Sequence, residues 1–402
     1  MLVYSGWLIT DIIVLYAVNG IKGNRRIPER LSNGDTNHIK ISLLNQYNFA
    51  VTCEIIDEIP VQFQKRDFHI RIKLNPGEGK ELDYSLRPKQ RGIYDFGKLN
   101  VYTSSFLRLV KRRYSIDVHK EVAVYPAFLQ LKKYELLAVS NRLTEIGIKK
   151  IRRLGLHTEF DQIKEYVKGD DYRTINWKAT ARKGSLMVNQ YQDEKSQQIY
   201  SIIDKGRVMK MPFDGMTLLD YAINASLVIS KIAIMKDDKA GLITFNTGVD
   251  TFLTASRRQK TMYDILERLY HQETGFYESN YELLYANIKR NITQRSLLIL
   301  YTNIESISSV KNYMSFLTRL SKSHLLLVVL FENSEVRDFL NLSAENTQDI
   351  YKKTIAEKFL YDKKLIIKKK KKHGVHAIIT DPARLTIDLI NKYLEYKAIG
   401  LL

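Results

Sequence analysis

Apolar and polar residues alternate through the region between residues 28 and 126. Every second residue is apolar in the segments 39–43, 68–74 and 82–86, and the segment 75–79, Asn-Pro-Gly-Glu-Gly, separates two of them. A period of two predicts strands that bury one face, and Pro and Gly mark the turn between them. The sequence therefore predicts a small antiparallel β-sandwich over residues 28–126, a type of spacer domain that has no catalytic pattern of its own.

The pattern changes after residue 196, where continuous apolar segments alternate with segments of helical period. The apolar segments lie at residues 199–203, 240–245, 296–301, 325–330 and 375–379, and the helical ones lie at 216–235, 310–320 and 385–397. Continuous apolar strands joined by helices are typical of a mostly parallel sheet with helices on both faces. Residues 196–402 are therefore predicted to form an α/β domain, whose site would lie in the loops after the strand ends.

Residues 2–18 form a nearly continuous apolar stretch, close to the length that a bilayer crossing requires. The cationic residues that follow it are Lys22, Arg25, Arg26 and Arg30. Because positive residues stay cytoplasmic, residues 1–20 are predicted to be a transmembrane helix, the second of a hairpin, with the soluble domains on the cytoplasmic side of the inner membrane. Asp11 is costly in lipid and is expected to pair with a neighbouring span. The alternative is a leader that never enters lipid.

Composition adds limits on the number of domains, the compartment and the partners. The 402 residues suffice for two or three domains, and the formal net charge is +19. The one cysteine, Cys53, cannot form an internal disulfide, which favours a reducing compartment. The charge favours lipid headgroups, nucleic acid or an acidic protein as neighbours. The five lysines at 368–372 lack interleaved aromatic residues, so a solvated helix end explains them as well as a phosphate-binding patch does.

A connecting region, residues 127–195, lies between the two predicted domains and is rich in charged and aromatic side chains. Residues 159–194 of this region are called the signature block below. Its candidate residues for partner binding or domain locking are Glu159, Tyr166, Gly169, Asp170, Asp171, Arg173, Trp177 and Arg182. Gly169 is expected to supply a turn, and Asp170 or Asp171 is expected to cap the helix that follows.

The signature block resembles a bacterial family named domain of unknown function fifty-eight, whose members carry the pattern E-F-x(5)-Y-x-x-G-D-D-x-R-x-I-x-W-x-x-x-A-R at this place. The resemblance implies a membrane hairpin, a β-rich segment, the block and a von Willebrand factor A-like domain, in that order. It also implies a partner, a MoxR-type AAA+ ATPase, in assembly or maturation. Two roles for the block remain open: a contact surface, or a staple of ion pairs and a buried tryptophan that locks it onto the A-like domain.

Domains of the von Willebrand factor A type commonly hold Mg²⁺ with a D-x-S-x-S turn, a separate Thr and a later Asp. The corresponding positions here are Asp204, Gly206 and Val208, followed after a later strand by Thr302 and Asn303. Gly206 and Val208 have no hydroxyl group, and the cationic Lys205 and Arg207 alternate with them along the turn. We therefore expect a degenerate motif with no bound metal and no other cofactor. Asp204 is expected to pair with Lys205, Arg207 or a residue of the signature block.

These observations favour a non-catalytic, membrane-tethered protein-interaction module, in which the sandwich spaces the A-like domain from the bilayer. The loops near Asp204, Thr247 and Thr302 are expected to face a protein partner, a MoxR-type AAA+ ATPase that serves a cell-envelope system. One alternative is a metal-dependent enzyme that acts on phosphodiesters through Asp170, Asp171 and Asp204. Another is a basic nucleic-acid binder, although the sequence matches no nucleic-acid fold signature.

Overall fold

The computed structural model describes two compact units, and the first and last described residues are 2 and 401. The described residues are 2–65, 67–139, 159–167, 170, 172–192, 196–303, 307–332, 339–340, 346–372 and 374–401. The first unit consists of Met1–Leu136, Lys210–Val228 and Tyr263–Glu273, and the second of Leu137–Met209, Ile229–Met262 and Thr274–Leu402.

Ten strands form the β-rich part of the first unit. They are β1 (Ile21–Arg26), β2 (Arg30–Ser32), β3 (Asn37–Asn45), β4 (Val51–Asp57), β5 (Ile70–Leu74), β6 (Gly79–Leu86), β7 (Gly92–Phe96), β8 (Leu99–Ser104), β9 (Lys111–Ile116) and β10 (Lys120–Tyr125). Their sheets have the orders β1-β3-β6, β2-β10-β7 and β5-β4-β8-β9, and all described pairs are antiparallel except β2 with β10. Buried and exposed residues alternate along the whole of β3. The predicted sandwich-like antiparallel sheets are therefore confirmed.

The core of these sheets contains one ion pair. The Arg25 guanidinium contacts the Asp57 carboxylate, and both side chains are fully buried. Arg25 also donates to the carbonyl oxygens of Gly97 and Val118 at 2.8 Å each, and Asp57 accepts from the Tyr84 hydroxyl. A buried charge is tolerated when it is paired and hydrogen-bonded. Arg25, which the sequence placed among the cationic residues flanking the membrane segment, therefore belongs to the sandwich core.

The N-terminal helix, α1 (Leu2–Tyr16), has 15 residues, about 22 Å at 1.5 Å per residue. It is shorter than the predicted span of residues 1–20. Asp11 is buried, and its carboxylate accepts hydrogen bonds from the hydroxyl of Ser105 and the backbone N–H groups of Leu109 and Val110. The expected pairing of Asp11 with a second span is therefore wrong for the described structure, because a loop of the sandwich satisfies this carboxylate.

Two further helices follow the sandwich strands along the chain. The first is α2 (Phe128–Val139), which begins shortly after β10. The other, α4 (Leu218–Met235), is the one helix in the described part of the chain that is long and apolar enough to cross a membrane. It is 78% buried inside the protein. The core helix of a water-soluble domain has the same length and composition, so the burial of α4 identifies it as a core helix.

Helix ends complete the first unit. The hairpin of β14 (Pro212–Phe213) and β15 (Met216–Thr217) leads into α4, whose first turn is closed by a capping box: Thr217 and Asp220 exchange side-chain-to-backbone hydrogen bonds at 3.2 Å. The Arg91 guanidinium binds Asp220 Oδ1 at 2.8 Å. It also donates to the last carbonyl groups of α5 (Gln259–Tyr270), those of Leu269 and Tyr270. Arg91 thus joins a sandwich loop to two helix ends within this unit.

The second unit is built on a six-stranded mixed sheet. Its strands are β13 (Gln198–Asp204), β16 (Lys239–Phe245), β17 (Val249–Ser256), β18 (Leu297–Tyr301), β19 (Leu325–Phe331) and β20 (His376–Thr380), in the order β17-β16-β13-β18-β19-β20. The helices that follow α5 are α6 (Tyr281–Asn291), α7 (Ile307–Ser323), α8 (Thr347–Lys372) and α9 (Leu385–Ala398). The five predicted apolar strands are confirmed. All described pairings are parallel except that of β17, an edge strand that the apolar pattern did not predict.

Candidate functional site

The strand order of the mixed sheet reverses between β13 and β18. From β13 the chain adds β16 and β17 on one side, and then β18, β19 and β20 on the other. In open α/β sheets, ligands bind outside the carboxyl ends of the strands at such a switch point. Asp204 is the last residue of β13, and Thr302 directly follows β18. Both predicted residues therefore lie together at this position of the sheet.

The Asp204 carboxylate is buried and accepts four hydrogen bonds. Oδ1 accepts from the Gly206 backbone N–H at 2.8 Å and from the Ser279 hydroxyl. Oδ2 accepts from the Thr302 hydroxyl at 2.7 Å and the Tyr281 hydroxyl at 3.0 Å. These five residues are called the Asp204 cluster below. All four donors are neutral, and they use the roughly four acceptor positions that a carboxylate offers.

The segment 275–280 brings Ser279 to Asp204 by closing over the strand ends. Its backbone is held at three places: Gly275 N–H donates to Lys205 O at 3.0 Å, Arg207 N–H to Tyr277 O at 3.0 Å, and Asn280 N–H to Asn246 O at 2.7 Å. A Cβ atom at Gly206 would lie 2.3 Å from Ser279 Oγ, closer than real Cβ contacts come. Ser279 thus supplies a hydroxyl at the place where a serine side chain at position 206 would lie.

Two members of the Asp204 cluster, Ser279 and Tyr281, escaped the sequence analysis because they lie 75 and 77 residues after Asp204. A local signal does exist. Asn280 caps α6, since its side-chain oxygen accepts from the N–H groups of Glu282 and Leu283 at 3.1 and 3.0 Å. An Asn at the N-cap position marks the start of a helix. Asn280 could therefore have located the start of α6, and with it the preceding loop that carries Ser279.

The predicted ion pairs of Asp204 are not present among its described contacts. Lys205 Nζ instead lies 2.6 Å from Asp250 Oδ2, and the Arg207 guanidinium lies 3.8 Å from Glu278. Lys205 points away from Asp204 because consecutive residues leaving a strand face opposite sides. Among the contacts of Asp204 with described residues, none is the expected ion pair with one of these cations or with the signature block. Val208 is half-buried, and Asn303 is buried beside Thr302.

Burial dominates the electrostatics of the cluster. It raises the pKa of Asp204, although the four donors oppose this shift. Burial and the neighbouring carboxylate raise the pKa of Tyr281 well above its usual value, so its hydroxyl stays protonated and donates at neutral pH. The ring of Tyr281 stacks on that of Tyr313, with centroids 4.5 Å apart. The cluster is therefore a buried carboxylate whose oxygen atoms are directed at donors of the chain and not at a substrate.

The cluster does not fit a Mg²⁺ ion. Mg²⁺ requires near-octahedral oxygen ligands and is usually bound through one or two carboxylates together with water and substrate phosphates. Here the single carboxylate has its acceptor positions taken by protein donors. Within the described ranges, no group of three or more His, Cys, Asp or Glu side chains is arranged to hold a metal ion.

Restoring a serine to the metal motif is expected to destabilise the protein. We expect Gly206→Ser to lower the free energy of unfolding by about 1–3 kcal/mol, because the new side chain overlaps Ser279 Oγ. The double variant with Ser279→Gly is expected to recover part of this loss, since one hydroxyl then replaces the other. Chemical denaturation of the single and double variants measures both effects. Equal stability of Gly206→Ser and the unmodified chain would contradict the close packing described above.

The signature block forms a second candidate site within the second unit. It contains an antiparallel hairpin of β11 (Glu159–Glu165) and β12 (Met187–Gln192), and a short helix, α3 (Trp177–Lys183). Asp170 does not cap α3. Its carboxylate accepts from Val167 N–H at 3.0 Å and from Lys164 Nζ at 2.9 Å. The cap is Asn176, whose side chain accepts from Ala179 N–H at 3.0 Å.

The other predicted residues of the block are distributed over the hairpin and its connection. Tyr166 is half-buried and continues the pairing, since its N–H donates to Leu186 O at 2.8 Å. The Arg173 guanidinium lies 5.8 Å from the ring centre of Tyr172, and Arg182 is exposed in the last turn of α3. Glu159 contributes backbone pairing to β11. Gly169 and Asp171 lie outside the described residues.

The hairpin and its connection expose several apolar side chains. These are Ile163, Val167, Tyr172, Trp177 and Leu186, and they are called the hairpin surface below. Tyr172 and Trp177 are each 70% exposed. The tryptophan expected to be buried in a staple is therefore mostly in contact with solvent. An exposed indole offers contact area to a partner rather than packing energy to the fold.

Comparison with known proteins reveals distant relatives. "Uncharacterized protein YeaD" of Bacillus subtilis (strain 168) is 22% identical over 207 residues, 49% of this chain and 51% of that protein, so the chain spans about half the length of this curated relative. Two solved structures are also similar. The conserved hypothetical protein BatB from Bacteroides thetaiotaomicron gives a TM-score of 0.35 at 11% identity, over 51% of this chain and 100% of that one. PapD-like domain 7 of human CEP192 gives 0.21 at 15% identity, over 27% and 88%.

A family model also matches the part of the chain that carries both candidate sites. The match begins three residues after Glu159 and includes every member of the Asp204 cluster. The family carries no assigned function. Residues 162–338 thus match the family described as "Protein of unknown function DUF58", which confirms for this part of the chain the resemblance found in the signature block.

Proposed function

We propose that the chain is a membrane-tethered protein-interaction module that works with a MoxR-type AAA+ ATPase in the assembly or maturation of a cell-envelope system. In this proposal the second unit is a von Willebrand factor A-like domain on the cytoplasmic side of the membrane. A mixed sheet with its site at the switch point and one antiparallel edge strand supports that assignment. The hairpin surface is the proposed contact for the partner.

The observation that carries the proposal is the exposure of the hairpin surface. The exposed Tyr172 and Trp177 lie ten and five residues before the exposed Arg182. Tyrosine, tryptophan and arginine are the residue types enriched at binding hot spots. Exposed apolar side chains that are concentrated in one part of a chain are typical of protein interaction sites. This favours the contact-surface role of the block over the staple role.

The Asp204 cluster supports a form of partner binding that needs no metal. In the proposal, the segment 275–280 presents its surface at the strand ends, and Asp204 holds that segment in place through Ser279. Phe276 and Tyr277 of this segment are exposed. Their presentation depends on hydrogen bonds within the chain, so chelation of metal ions is expected to leave partner binding unchanged.

The enzymatic alternative has less support. The Asp170 carboxylate is engaged by Lys164 and Val167, and the Asp204 carboxylate is engaged by four donors. A general base or metal ligand needs a free lone pair directed at the substrate or ion. The nucleic-acid alternative rests on net charge alone, since the lysines at 368–372 lie in the last turns of α8 without aromatic residues among them.

Removing the two exposed aromatic residues is expected to abolish partner capture. We expect the double variant Tyr172→Ser/Trp177→Ser to capture at most about a tenth of the AAA+ ATPase that the unmodified chain captures. Loss of hot-spot residues typically weakens binding by this much or more. The measurement is affinity capture from solubilised membranes of the expressing cells, with bound proteins quantified by mass spectrometry.

The matched control is Tyr351→Ser/Tyr361→Ser, which removes two exposed aromatic residues of α8. This control is expected to capture the same amount of partner as the unmodified chain. Equal losses in both variants, or capture in which no AAA+ ATPase is ever enriched, would contradict the proposal.

A further inference from the structure

The helix α1 packs against the sandwich along a narrow stripe. The stripe consists of Leu8, Asp11, Val14 and Leu15, spaced so that they lie on one side of the helix, and the remaining described side chains of α1 are exposed. A stripe of this spacing covers only one face of a helix. The larger part of the α1 surface is therefore left outside the sandwich.

The sandwich holds the end of α1 firmly. The Tyr47 hydroxyl donates to Leu15 O at 2.6 Å, and the Arg112 guanidinium donates to Leu15 O and Val18 O at 2.6 and 2.7 Å. These groups satisfy carbonyl oxygens that the end of a helix leaves without an intrahelical partner. Because the sandwich itself caps the helix, the orientation of α1 at a membrane also fixes the orientation of the sandwich.

The loop 105–110 runs beside the middle of α1. It supplies the Ser105 hydroxyl and the N–H groups of Leu109 and Val110, at 3.1 and 3.0 Å, to the Asp11 carboxylate. Asp11 is only 1% exposed. A membrane that contains the middle of α1 must therefore also contact this loop. The loop keeps the Asp11 carboxylate out of contact with lipid.

The surface shared by α1 and the loop has the composition of a membrane interface. Tyr4, Trp7 and Tyr16 are exposed on α1, and Phe106 at the loop tip is 76% exposed. Tryptophan and tyrosine concentrate at the level of lipid headgroups. Aliphatic side chains of α1, Ile9, Ile12 and Ile13, are exposed as well. An apolar surface of this kind is costly in water and matches the acyl-chain boundary of a bilayer.

Exposed cationic side chains lie on the loop and on the strand that follows α1. Arg108 is exposed two residues after Phe106, and Lys22 and Arg26 are exposed on β1, which follows α1. Lys22 and Arg26 also line a cavity together with Lys80. Cations near the cytoplasmic leaflet are attracted by anionic lipids, each by about 1 kcal/mol. The charge of Arg108, beside Phe106 in the loop, therefore complements an anionic bilayer.

We propose that the loop 105–110 is a second membrane-contacting element, which inserts Phe106 into the interfacial layer of an anionic bilayer beside α1. The backbone N–H groups of the loop offset the free-energy cost of placing the Asp11 carboxylate at that depth, and Arg108 contacts the lipid headgroups. This inference rests on the proposed tethering of the chain to a membrane. It adds that the sandwich touches the bilayer through a specific loop instead of being suspended from a flexible linker.

The test uses the full chain with one tryptophan at a time. The chain has two tryptophans, Trp7 and Trp177, and replacing both by Phe gives a background for Phe106→Trp. The variants are reconstituted in vesicles of phosphatidylcholine and phosphatidylglycerol, with and without brominated acyl chains that quench tryptophan fluorescence. We expect brominated lipid to lower the emission of the tryptophan at position 106 by roughly twofold, with a blue-shifted maximum.

The matched control is Val61→Trp in the same background. Val61 is 80% exposed and follows the last residue of β4, Asp57. Asp57 pairs with Leu99, the first residue of β8, whereas the loop 105–110 follows Ser104 at the other end of β8. Its emission is expected to be unaffected by brominated lipid. A tryptophan at position 106 that behaves like this control would overturn the inference.

A chain that keeps only Trp7 separates this inference from the proposed tethering. Quenching of Trp7 without quenching at position 106 means that α1 is embedded but that the loop is not, which overturns the inference alone. Quenching of neither overturns the membrane tethering as well. Quenching of both, with an unaffected control, supports the loop as a membrane contact.

Discussion

Replacement of Asp204 by alanine is expected to lower the free energy of unfolding by about 3 kcal/mol or more. The substitution leaves four donors without their acceptor, two of them buried (Gly206 and Thr302) and two partly buried (Ser279 and Tyr281), and each buried donor that loses its partner costs about 1–3 kcal/mol. Thr302 and Tyr281 can still bond to each other, since their hydroxyl oxygens lie 3.0 Å apart, so the costs do not add fully. Thermal and chemical denaturation measure the loss.

Asp204→Asn is the matched control for this prediction. It keeps the shape of the side chain. Its oxygen can still accept from Gly206 N–H and Ser279, and the hydroxyl groups of Thr302 and Tyr281 can turn to accept from an amide nitrogen at the Oδ2 position. We therefore expect a smaller loss than for Asp204→Ala. Equal losses in the two variants would mean that the size of the side chain, and not its hydrogen bonding, matters at this position.

The raised pKa of Asp204 adds a pH dependence with a defined sign. Folding favours the protonated form, so the contribution of this group is fully present below the unfolded pKa, about 3.9, and is lost as pH rises through the folded pKa. The Asn variant lacks the titration. The advantage of the unmodified chain over Asp204→Asn is therefore expected to shrink as pH rises through this window. An advantage that grows with pH would indicate a depressed pKa instead.

Loss of Arg91 is the other prediction with a large expected effect. Arg91→Ala is expected to lower the free energy of unfolding by about 3–5 kcal/mol, because it leaves the Asp220 carboxylate buried without its cation. The side chains of Arg91 and Asp220 are 9% and 7% exposed. Three backbone carbonyl groups at the end of α5 and beyond, those of Leu269, Tyr270 and Gln272, lose a donor in the same substitution.

The control for Arg91 lies four residues earlier in the same loop. Arg87 pairs with Asp214 at 3.2 Å, but both side chains are about half exposed. Pairs in that environment contribute about 0–1 kcal/mol, so Arg87→Ala is expected to have little effect. Denaturation followed by circular dichroism compares the two. Similar losses for Arg87→Ala and Arg91→Ala would show that the burial of the Arg91 pair is not what stabilises this unit.

Strands with a regular pattern of burial, on one face or on both, could be predicted from the sequence. The alternation in 39–43 and 82–86 predicted β3 and β6, and the continuous apolar segments predicted β13, β18 and β19, because their side-chain periods follow directly from burial. The edge strand β17 was not predicted. Its pairing with β16 has register shifts, and its burial pattern is irregular, so no period of two is preserved along it.

The candidate site was accessible only in part, for a different reason. Asp204 and Thr302 directly end or follow apolar strands, and strand ends can be located from hydrophobicity alone. Ser279 and Tyr281 approach Asp204 through a loop whose path depends on tertiary packing. The partners of Asp11 and the burial of Arg25 depend on the same kind of long-range contact. The sequence therefore suggested a membrane flank for Arg25, a second span for Asp11 and an ion pair for Asp204, where the fold uses a buried ion pair or neutral hydrogen bonds.

Site-specific photo-crosslinking tests most directly whether the hairpin surface of the signature block binds a protein partner. A photoreactive amino acid is placed at position 177 in the full chain, and at position 351 of α8 as a control of similar exposure, 69% against 70%. After irradiation in the expressing cells, we expect an AAA+ ATPase to be crosslinked at position 177 and absent at position 351. The same set of crosslinked proteins at both positions, or no protein crosslinked at position 177, would contradict the claim.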